Sequence, residues 1–598
     1  MRSRTEMVGI VLAAPALQEK ITELVRDGAG DEPALREKAR KYCLEIAADY
    51  NGRWLGLWDK VLSRLWRIIY EDFVVDQEGL ERIRLLFRRR PCVIIPCHKS
   101  HVDYLILSYI FFKHNLPLPH IAAGENMNFW PLGAIFRQSG AFFLRRSFRG
   151  DELYAAVFAA YLETLLKEGV PVEFFLEGGR SRTGKMVAPK YGMLAMILRS
   201  FIGKAFDDLS LIPVYIGYDR VIEVKSYLRE LTGGRKKRES TLDVFRQFNI
   251  LKHRYGNVYL QIGNPISLKA CFSRPAFAVS AKIPEELQAL SRDVGRRLVS
   301  EINRVAVATP TSLLAAALLC HGEKETPADL LQEISNAFYD YLANSKVNLA
   351  PALAASWVKA RKSALSIFIQ EGCLVREKAG DEKEAPIYLV PDDERLRLEY
   401  YKNNIIHHFL PLSFLAAALL ACTEGLTNLS RISEDYCFLN RVFRLEFMQE
   451  AAYDGAMEEA VAYLRHRGIL DVGLERGEWK LKEGGREKLM FFAGLIRSCL
   501  ESYGTVLKAC LLIKSGGRRG ESRLDFIRQQ AKEMHARGMI RRTESMSGAS
   551  YSNALKFLEE EAVISQDGSH AAASGAAAGV LVDETKLADL QRRLSRFG

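Results

Sequence analysis

The sequence predicts an α/β fold: a mixed, mainly parallel sheet flanked by helices in a central core, with helical regions before and after it. Three observations carry this. Between residues 91 and 270, short apolar runs rich in β-branched and aromatic residues recur as CVIIPC (92–97), GAFFLRR (140–146), PVEFFLEG (171–178), LIPVYIGY (211–218) and NVYLQIGNPISL (257–268). Helical stretches such as DELYAAVFAAYLETLLKEG, closed by Gly169, separate them, and strands alternating with helices build a sheet with helices on its faces. After about residue 310 the text turns Ala- and Leu-rich with helical spacing, as in TSLLAAALLC and LAPALAASWVKARKSALSIF.

Taken in order, residues 1–75 read as an N-terminal helical region, 76–310 as the α/β core, 311–564 as a helical C-terminal domain, and 565–598 as a low-complexity tail with a short helix. In the first region an apolar stretch from Met7 to Leu17 is interrupted by Pro15 and followed by charged helical sequence, a pattern that does not favour a cleaved signal peptide. In WLGLWDKVLSRLWRIIYEDF, Trp54, Trp58, Leu62, Leu65, Trp66 and Ile69 recur at steps of three and four and form one apolar stripe. Two readings stay open: an interfacial helix whose indoles sit at headgroup level while Lys60, Arg64 and Arg67 meet anionic lipid, or a helix packed on the core. The charged stretch REKAGDEKEAP (376–386) reads as a loop. The apolar run from Phe409 to Cys422 contains Pro411 and Ser413 and falls short of the ~20 residues that span a bilayer, so membrane contact is expected to be peripheral.

With 48% hydrophobic and 26% charged residues the chain is globular in composition, which excludes disorder, collagen and fibrous coiled coil. A net charge of +11 suits nucleic acid, anionic lipid or a phosphorylated substrate equally. Ten scattered cysteines without a CxxC pair signal neither a disulfide framework nor a zinc finger, and imply a reducing, cytosol-facing environment.

Four constellations carry chemistry. The strand CVIIPC runs directly into His98-Lys99-Ser100-His101-Val102-Asp103, ahead of the helical run LILSYIFF. On a regular helix His98 and Asp103 would point about 140° apart at ~3.6 residues per turn, so the histidine belongs in the turn and the aspartate in the first helical turn, folding back. That geometry lets a carboxylate hold one imidazole nitrogen while the other takes a proton from a substrate hydroxyl. Ser100 and Asp103 also match a capping box, a role compatible with the first. No further ligand pattern accompanies His98 and His101, so no metal is expected.

Second, after the strand PVEFFL comes Glu177-Gly178-Gly179-Arg180-Ser181-Arg182-Thr183-Gly184-Lys185. Its glycines permit a sharp turn, and Arg180, Arg182 and Lys185, with Ser181 and Thr183 as further donors, gather charge suited to a phosphate, although taken alone the stretch reads equally as a solvated basic turn. The pattern GxxxxGK[ST] of a P-loop does not match. Third, GAFFLRR ends in Arg145 and Arg146, of which at most one is expected to share a site with His98, because neighbouring strand side chains point to opposite faces. Fourth, LIPVYIGYD places Pro213 near a strand start, where an edge or strand-entry proline is the plain reading.

Together His98-x4-Asp103, GAFFLRR, FFLEGGRSRTG and LIPVYIGYD resemble, in order and approximate spacing, the four motifs of the glycerolipid acyltransferase family. The intervening HIAAGENMNFWPLGAIFRQSGAFFLRR is similar to the long bacterial glycerol-3-phosphate 1-O-acyltransferases and their mitochondrial relatives, and TSLLAAALL and EYYKNNIIHHF resemble the C-terminal region of that family. The resemblance implies His98 as general base and Asp103 as its orienting partner. It implies a glycerol-3-phosphate site drawn from Arg145 or Arg146, Glu177, Gly178, Arg180 and Ser181, to which the charge reading adds Arg182 and Lys185, and for Pro213 a part in shaping the acyl-donor site.

The activity so implied is transfer of a fatty acyl group from acyl-CoA or acyl carrier protein to the sn-1 hydroxyl of glycerol-3-phosphate, the first step of phospholipid synthesis, at the cytoplasmic face of the inner membrane and without a cofactor. Dihydroxyacetone-phosphate acyltransferases share the motifs. Gly179, where that branch tends to carry Thr, and the NMNFWP segment look more like the glycerol-3-phosphate branch. A basic nucleic-acid binder, motivated by the net charge and Arg235-Lys236-Lys237-Arg238, lacks any accompanying motif, and no nucleic-acid partner is expected.

Overall fold

The computed structural model describes residues 2–129, 132–148, 150–231, 254–273, 284–377, 385–422, 427–448, 455–472, 478–514, 522–566 and 580–598. The chain divides into two compact units: the first comprises Met1–Arg180, Met186–Ile222 and Lys237–Val305, the second Ser181–Lys185, Glu223–Lys236 and Ala306–Gly598.

The first unit is built on an eight-stranded sheet. Its strands are β1 (Phe73–Val75), β2 (Cys92–Pro96), β3 (His120–Gly124), β4 (Ala141–Leu144), β5 (Val172–Glu173), β6 (Ser210–Tyr218), β7 (Val258–Ile262) and β8 (Ile266–Ser267). They lie in the order β1-β7-β6-β2-β5-β3-β4, with β8 beside β6. All neighbours run parallel except β7 and β8, which are antiparallel to β6. The sheet is therefore mixed and mostly parallel, as the alternating pattern predicts. β2 and β6, both buried at every position, form its centre, which explains why their runs are apolar on both faces.

Several runs are shorter as strands than as apolar text. PVEFFLEG keeps only two strand residues before the chain bends into the glycine turn, and GAFFLRR ends at Leu144. NVYLQIGNPISL splits into β7 and β8 around Gly263–Pro265, because Pro265 has no N–H for a ladder. That gap corrects the reading of Pro213 as an edge or entry proline. It sits inside β6, opposite Ile95 of β2, where pairing on the other flank passes from Val214↔Ile262 to Leu211↔Ile266.

Helices α1 (Arg4–Leu12), α2 (Pro15–Arg26) and α3 (Glu32–Ile46) pack on α8 (Glu152–Lys167), so the residues before 75 group with the sheet. Between them lie α4 (Leu55–Ile69), α5 (Gln77–Phe87), α6 (Asp103–Lys113) and α7 (Leu132–Gln138). α8 starts where the Asp151 side chain accepts from Tyr154 N and stops at Gly169, whose φ of +73° suits glycine. The six-residue stripe of α4 does not face one way. Leu62, Trp66 and Ile69 are buried, whereas Trp54 is exposed.

The second unit is mainly helical, with short strands added that pair antiparallel, except that Val307–Ala308 and Asn348–Leu349 run parallel. The charged stretch 376–386 begins in the strand Val375–Glu377 and leads to Ile387–Leu389, its antiparallel partner, while 378–384 lie outside the described residues. The apolar run 409–422 lies mostly in the helix Ile406–Leu420, whose Phe409, Leu410, Leu412 and Phe414–Leu419 are buried, so it offers no open amphipathic face. Among the described residues no single helix is long and apolar enough to cross a membrane. The low-complexity stretch 567–579 lies outside the described residues, and the tail closes in the helix Glu584–Ser595.

Candidate active site

Helix α6 begins at Asp103, and residues 97–102 turn the chain from the carboxyl end of β2 into it. Cys97 closes the strand, with its N–H donating to Val214 O at 3.0 Å and its thiol buried against Ile216 of β6. Burial pushes that thiol up to about 12, which keeps it protonated and removes it as a nucleophile. The next residue, His98, leaves the strand direction. Its Nδ1 donates to Asp103 Oδ2 at 2.9 Å, and its ring stacks on Phe175 with centroids 3.9 Å apart. Nε2 is left without a partner among the described residues, as a proton acceptor requires.

The capping box does not form: no side chain caps α6. The Asp103 carboxylate instead folds back onto the turn, where Oδ2 also accepts Lys99 N at 2.7 Å and Ser100 N at 2.9 Å. Its other oxygen, Oδ1, accepts the hydroxyl of Tyr218 at the end of β6. Asp103 is fully buried, so these donors replace the water that an anion of its charge requires.

Glu177 follows β5 and also serves the turn. Its Oε1 accepts the backbone N–H of His98 at 2.7 Å, and its Oε2 accepts that of Val187 at 2.9 Å. Burial pushes its carboxyl up to about 8 despite these two donors. Glu177 thus ties the histidine turn to the glycine turn. Gly178 has φ +59°, and a Cβ there would lie 2.6 Å from the Lys190 side chain, which explains the glycine. Gly178 and Gly179 are exposed and Arg180 is half-buried.

The structure does not bring every candidate to this place. Arg145 is committed elsewhere: its Nε and Nη2 pair with both Glu45 oxygens at 2.8 and 2.7 Å, and its guanidinium lies between the rings of Tyr42 and Tyr154, 4.7 and 4.4 Å from their centroids. Arg146, by contrast, is exposed and has no hydrogen bond or ion pair with a described residue. Arg145→Ala is therefore expected to lower the melting temperature with little change in KM. Arg146→Ala should leave stability intact and raise the KM for a phosphorylated acceptor roughly tenfold or more, the size of a lost charged hydrogen bond. Thermal unfolding and steady-state kinetics on the two variants separate the roles.

Ser181, Arg182 and Lys185 fall in the second unit. Ser181 Oγ donates to Lys185 O at 2.5 Å, and Arg182 is half-buried. Lys185 does not take up the expected phosphate role. Its Nζ donates to Glu446 Oε1 at 2.5 Å with both side chains buried, and Glu446 also accepts Ser550 Oγ and Asn553 Nδ2. Removing one member of such a buried pair would strand the other charge, which makes it a structural clamp. Asn403 Nδ2 fastens the same loop by donating to Thr183 O at 2.9 Å. Pro213 is buried within β6.

Sequence reasoning missed four groups around the histidine: Phe175 under its ring, Lys190 beside Gly178, Tyr218 on Asp103, and Lys99, buried with its ammonium 4.5 Å from the Tyr215 ring centroid. Lys99 lies inside the His-to-Asp interval, Phe175 inside FFLEGGRSRTG and Tyr218 inside LIPVYIGYD, but nothing in those motifs marks which side chain reaches the histidine turn. Among the described residues no group of three or more His, Cys, Asp or Glu side chains is arranged to hold a metal ion. Trp130 and Pro131 of NMNFWP and the basic run 235–238 lie outside the described residues.

Comparison with known proteins agrees with the motifs. The family model described as acyltransferase matches residues 74–217, and the one described as the glycerol-3-phosphate acyltransferase C-terminal region matches 227–567. A Pseudoalteromonas atlantica protein named glycerol-3-phosphate acyltransferase is 35% identical over 488 residues, 79% of this chain and 58% of its own length. Proteins of the same name from Pseudomonas putida and Aeromonas hydrophila are 36% and 33% identical over 70% and 84% of this chain, and 50% and 62% of their own lengths. The chain thus matches half to three-fifths of the length of these relatives. With one family model covering the histidine turn and most strands of the sheet, and the other more than half of the chain, this protein belongs to the glycerol-3-phosphate acyltransferase family.

Proposed function

We propose that this protein transfers a fatty acyl group from acyl-CoA or acyl carrier protein to the sn-1 hydroxyl of glycerol-3-phosphate. The observation that carries the reading is the His98–Asp103 pair, held in a turn with Nε2 free, at the end of the strand next to the glycine turn of Glu177–Arg180. His98 Nε2 removes the hydroxyl proton as the oxygen attacks the thioester carbonyl. The thiolate leaves as the tetrahedral adduct collapses, and the imidazolium, steadied by Asp103, returns the proton to it. No acyl-enzyme is needed, since the buried, protonated Cys97 is not poised to attack.

Arg146 and Arg180 bind the substrate phosphate, while Glu177 and Gly178 shape the turn. Pro213 contributes to the acyl-donor side through the strand it interrupts. The reaction uses the acyl donor as co-substrate and no cofactor or nucleic acid. Turnover of glycerol-3-phosphate and dihydroxyacetone phosphate, measured side by side with the acylated position identified, tests the reading. The proposal expects the former to be preferred and acylated at sn-1. Preference for the ketone substrate would place the enzyme in the neighbouring branch.

The acyl chain and the lysophospholipid product favour a membrane-bound location, and α4 offers the surface. Beside its buried face run exposed Trp54, Leu57, Val61 and Ile68, flanked by exposed Lys60, Arg64 and Arg67. We place this ridge on the cytoplasmic face of the inner membrane as a peripheral anchor, assisted by exposed Arg88 and Arg89. Arg90 is not available for this, being paired with Asp208. Changing Leu57, Val61 and Ile68 together to Ser is expected to abolish flotation with anionic vesicles at unchanged thermal stability. Flotation equal to the parent would place the anchor elsewhere.

A further inference from the structure

We infer that Tyr218 is a positioning residue of the His98–Asp103 pair, donating to the carboxylate oxygen that the imidazole does not use and so fixing the rotation of that carboxylate. The inference rests on the reading of His98 as the base. Three donors, His98 Nδ1, Lys99 N and Ser100 N, converge on Oδ2, and such an arrangement alone leaves the carboxylate free to swing about them. Tyr218 removes that freedom, since its hydroxyl donates to Oδ1. Asp103 is fully buried and Tyr218 is 6% exposed, so bulk water has little room to replace the phenol.

The strand explains why the phenol arrives there. Tyr218 is the last residue of β6, in register with Val258 of β7, and its ring lies 6.0 Å from that of Tyr70, the residue that ends α4. The fourth motif thus reaches the carboxylate of the first through the Tyr218 hydrogen bond. A donor on Oδ1 also lowers the electron density available to His98, and so tempers how tightly the carboxylate holds the imidazolium.

Other groups face this pair and stay in place when Tyr218 is altered. The turn contributes Lys99 and His101, and β6 contributes Tyr215. β5 contributes Glu173, and Glu177 follows it. Glu173 is fully buried with both oxygens unpartnered, and burial and the charge of Asp103 raise its carboxyl well above the usual range. Tyr70 ends α4, and Asp219 next to Tyr218 is occupied by Asn257 N and Tyr259 of β7.

Tyr218→Phe is the direct test. The expected result is a fall in kcat of about tenfold or more with the glycerol-3-phosphate KM nearly unchanged, as for loss of one hydrogen bond to a buried charge. The acid limb of the kcat/KM profile should move to higher pH, because Asp103 without its phenol donor holds the imidazolium more tightly. Unchanged kcat with an unmoved limb would overturn the inference, as would a drop in thermal stability alone. A 3,5-difluorotyrosine at 218 keeps the ring in place and donates more strongly, so it covers the case in which the Phe variant fails to fold. Its acid limb should move to lower pH, and no movement would overturn the inference. NMR titration of the His98 imidazole in the same proteins reads the shift without turnover, so failure of the acyltransferase reading and failure of this one remain distinct.

Discussion

His98→Ala is expected to reduce turnover by about 10²- to 10⁴-fold, the contribution of a positioned general base, while the protein remains folded. The imidazole lies in a turn with 15% of its side chain exposed, stacked on Phe175 with one hydrogen bond to Asp103, so its loss costs that stacking but no backbone contact. Its backbone N–H, which holds Glu177, is untouched by the change. Circular dichroism and thermal unfolding should match the parent. Near-normal turnover in a folded variant would remove His98 from the mechanism.

Asp103→Asn is expected to have the second-largest effect. The amide oxygen can still accept Lys99 N and Ser100 N, and the amide nitrogen can donate to a rotated Tyr218 hydroxyl, so the turn persists. What disappears is the negative charge that steadies the imidazolium. The kcat should fall by roughly 10²-fold or more, with a stability loss on the order of 1 kcal/mol. Kinetics and denaturant unfolding on one preparation decide the matter: matching losses of activity and stability would mean that Asp103 only builds the turn.

The fold was legible where local pattern decides it. Alternating apolar runs and helical stretches define the sheet, and the five-residue interval from His98 to Asp103 already demands a turn followed by a helix start. The site was less legible wherever a partner far along the chain chooses between similar residues. Nothing local distinguishes Arg145 from Arg146; Glu45, 100 residues earlier, does. Lys185 reads as a phosphate ligand until Glu446, 261 residues later, claims it. The tryptophans of α4 look alike in sequence, yet Trp66 packs with Tyr70 and Phe73 while Trp54 faces outward, because only packing tells the two sides of a helix apart. Tyr218 lay inside the fourth motif, but nothing local marked it as a partner of Asp103, since that role depends on β6 lying beside β2.

The central claim is that His98 Nε2 activates the hydroxyl of a phosphorylated glycerol toward a thioester. Thiol release from a long-chain acyl-CoA, followed with and without glycerol-3-phosphate for the full chain on anionic vesicles, tests it most directly. The account predicts release only when glycerol-3-phosphate is present, in equal amounts with acylglycerol phosphate, and lost in the folded His98→Ala variant. Release at the same rate without the acceptor, or none with it, would contradict it.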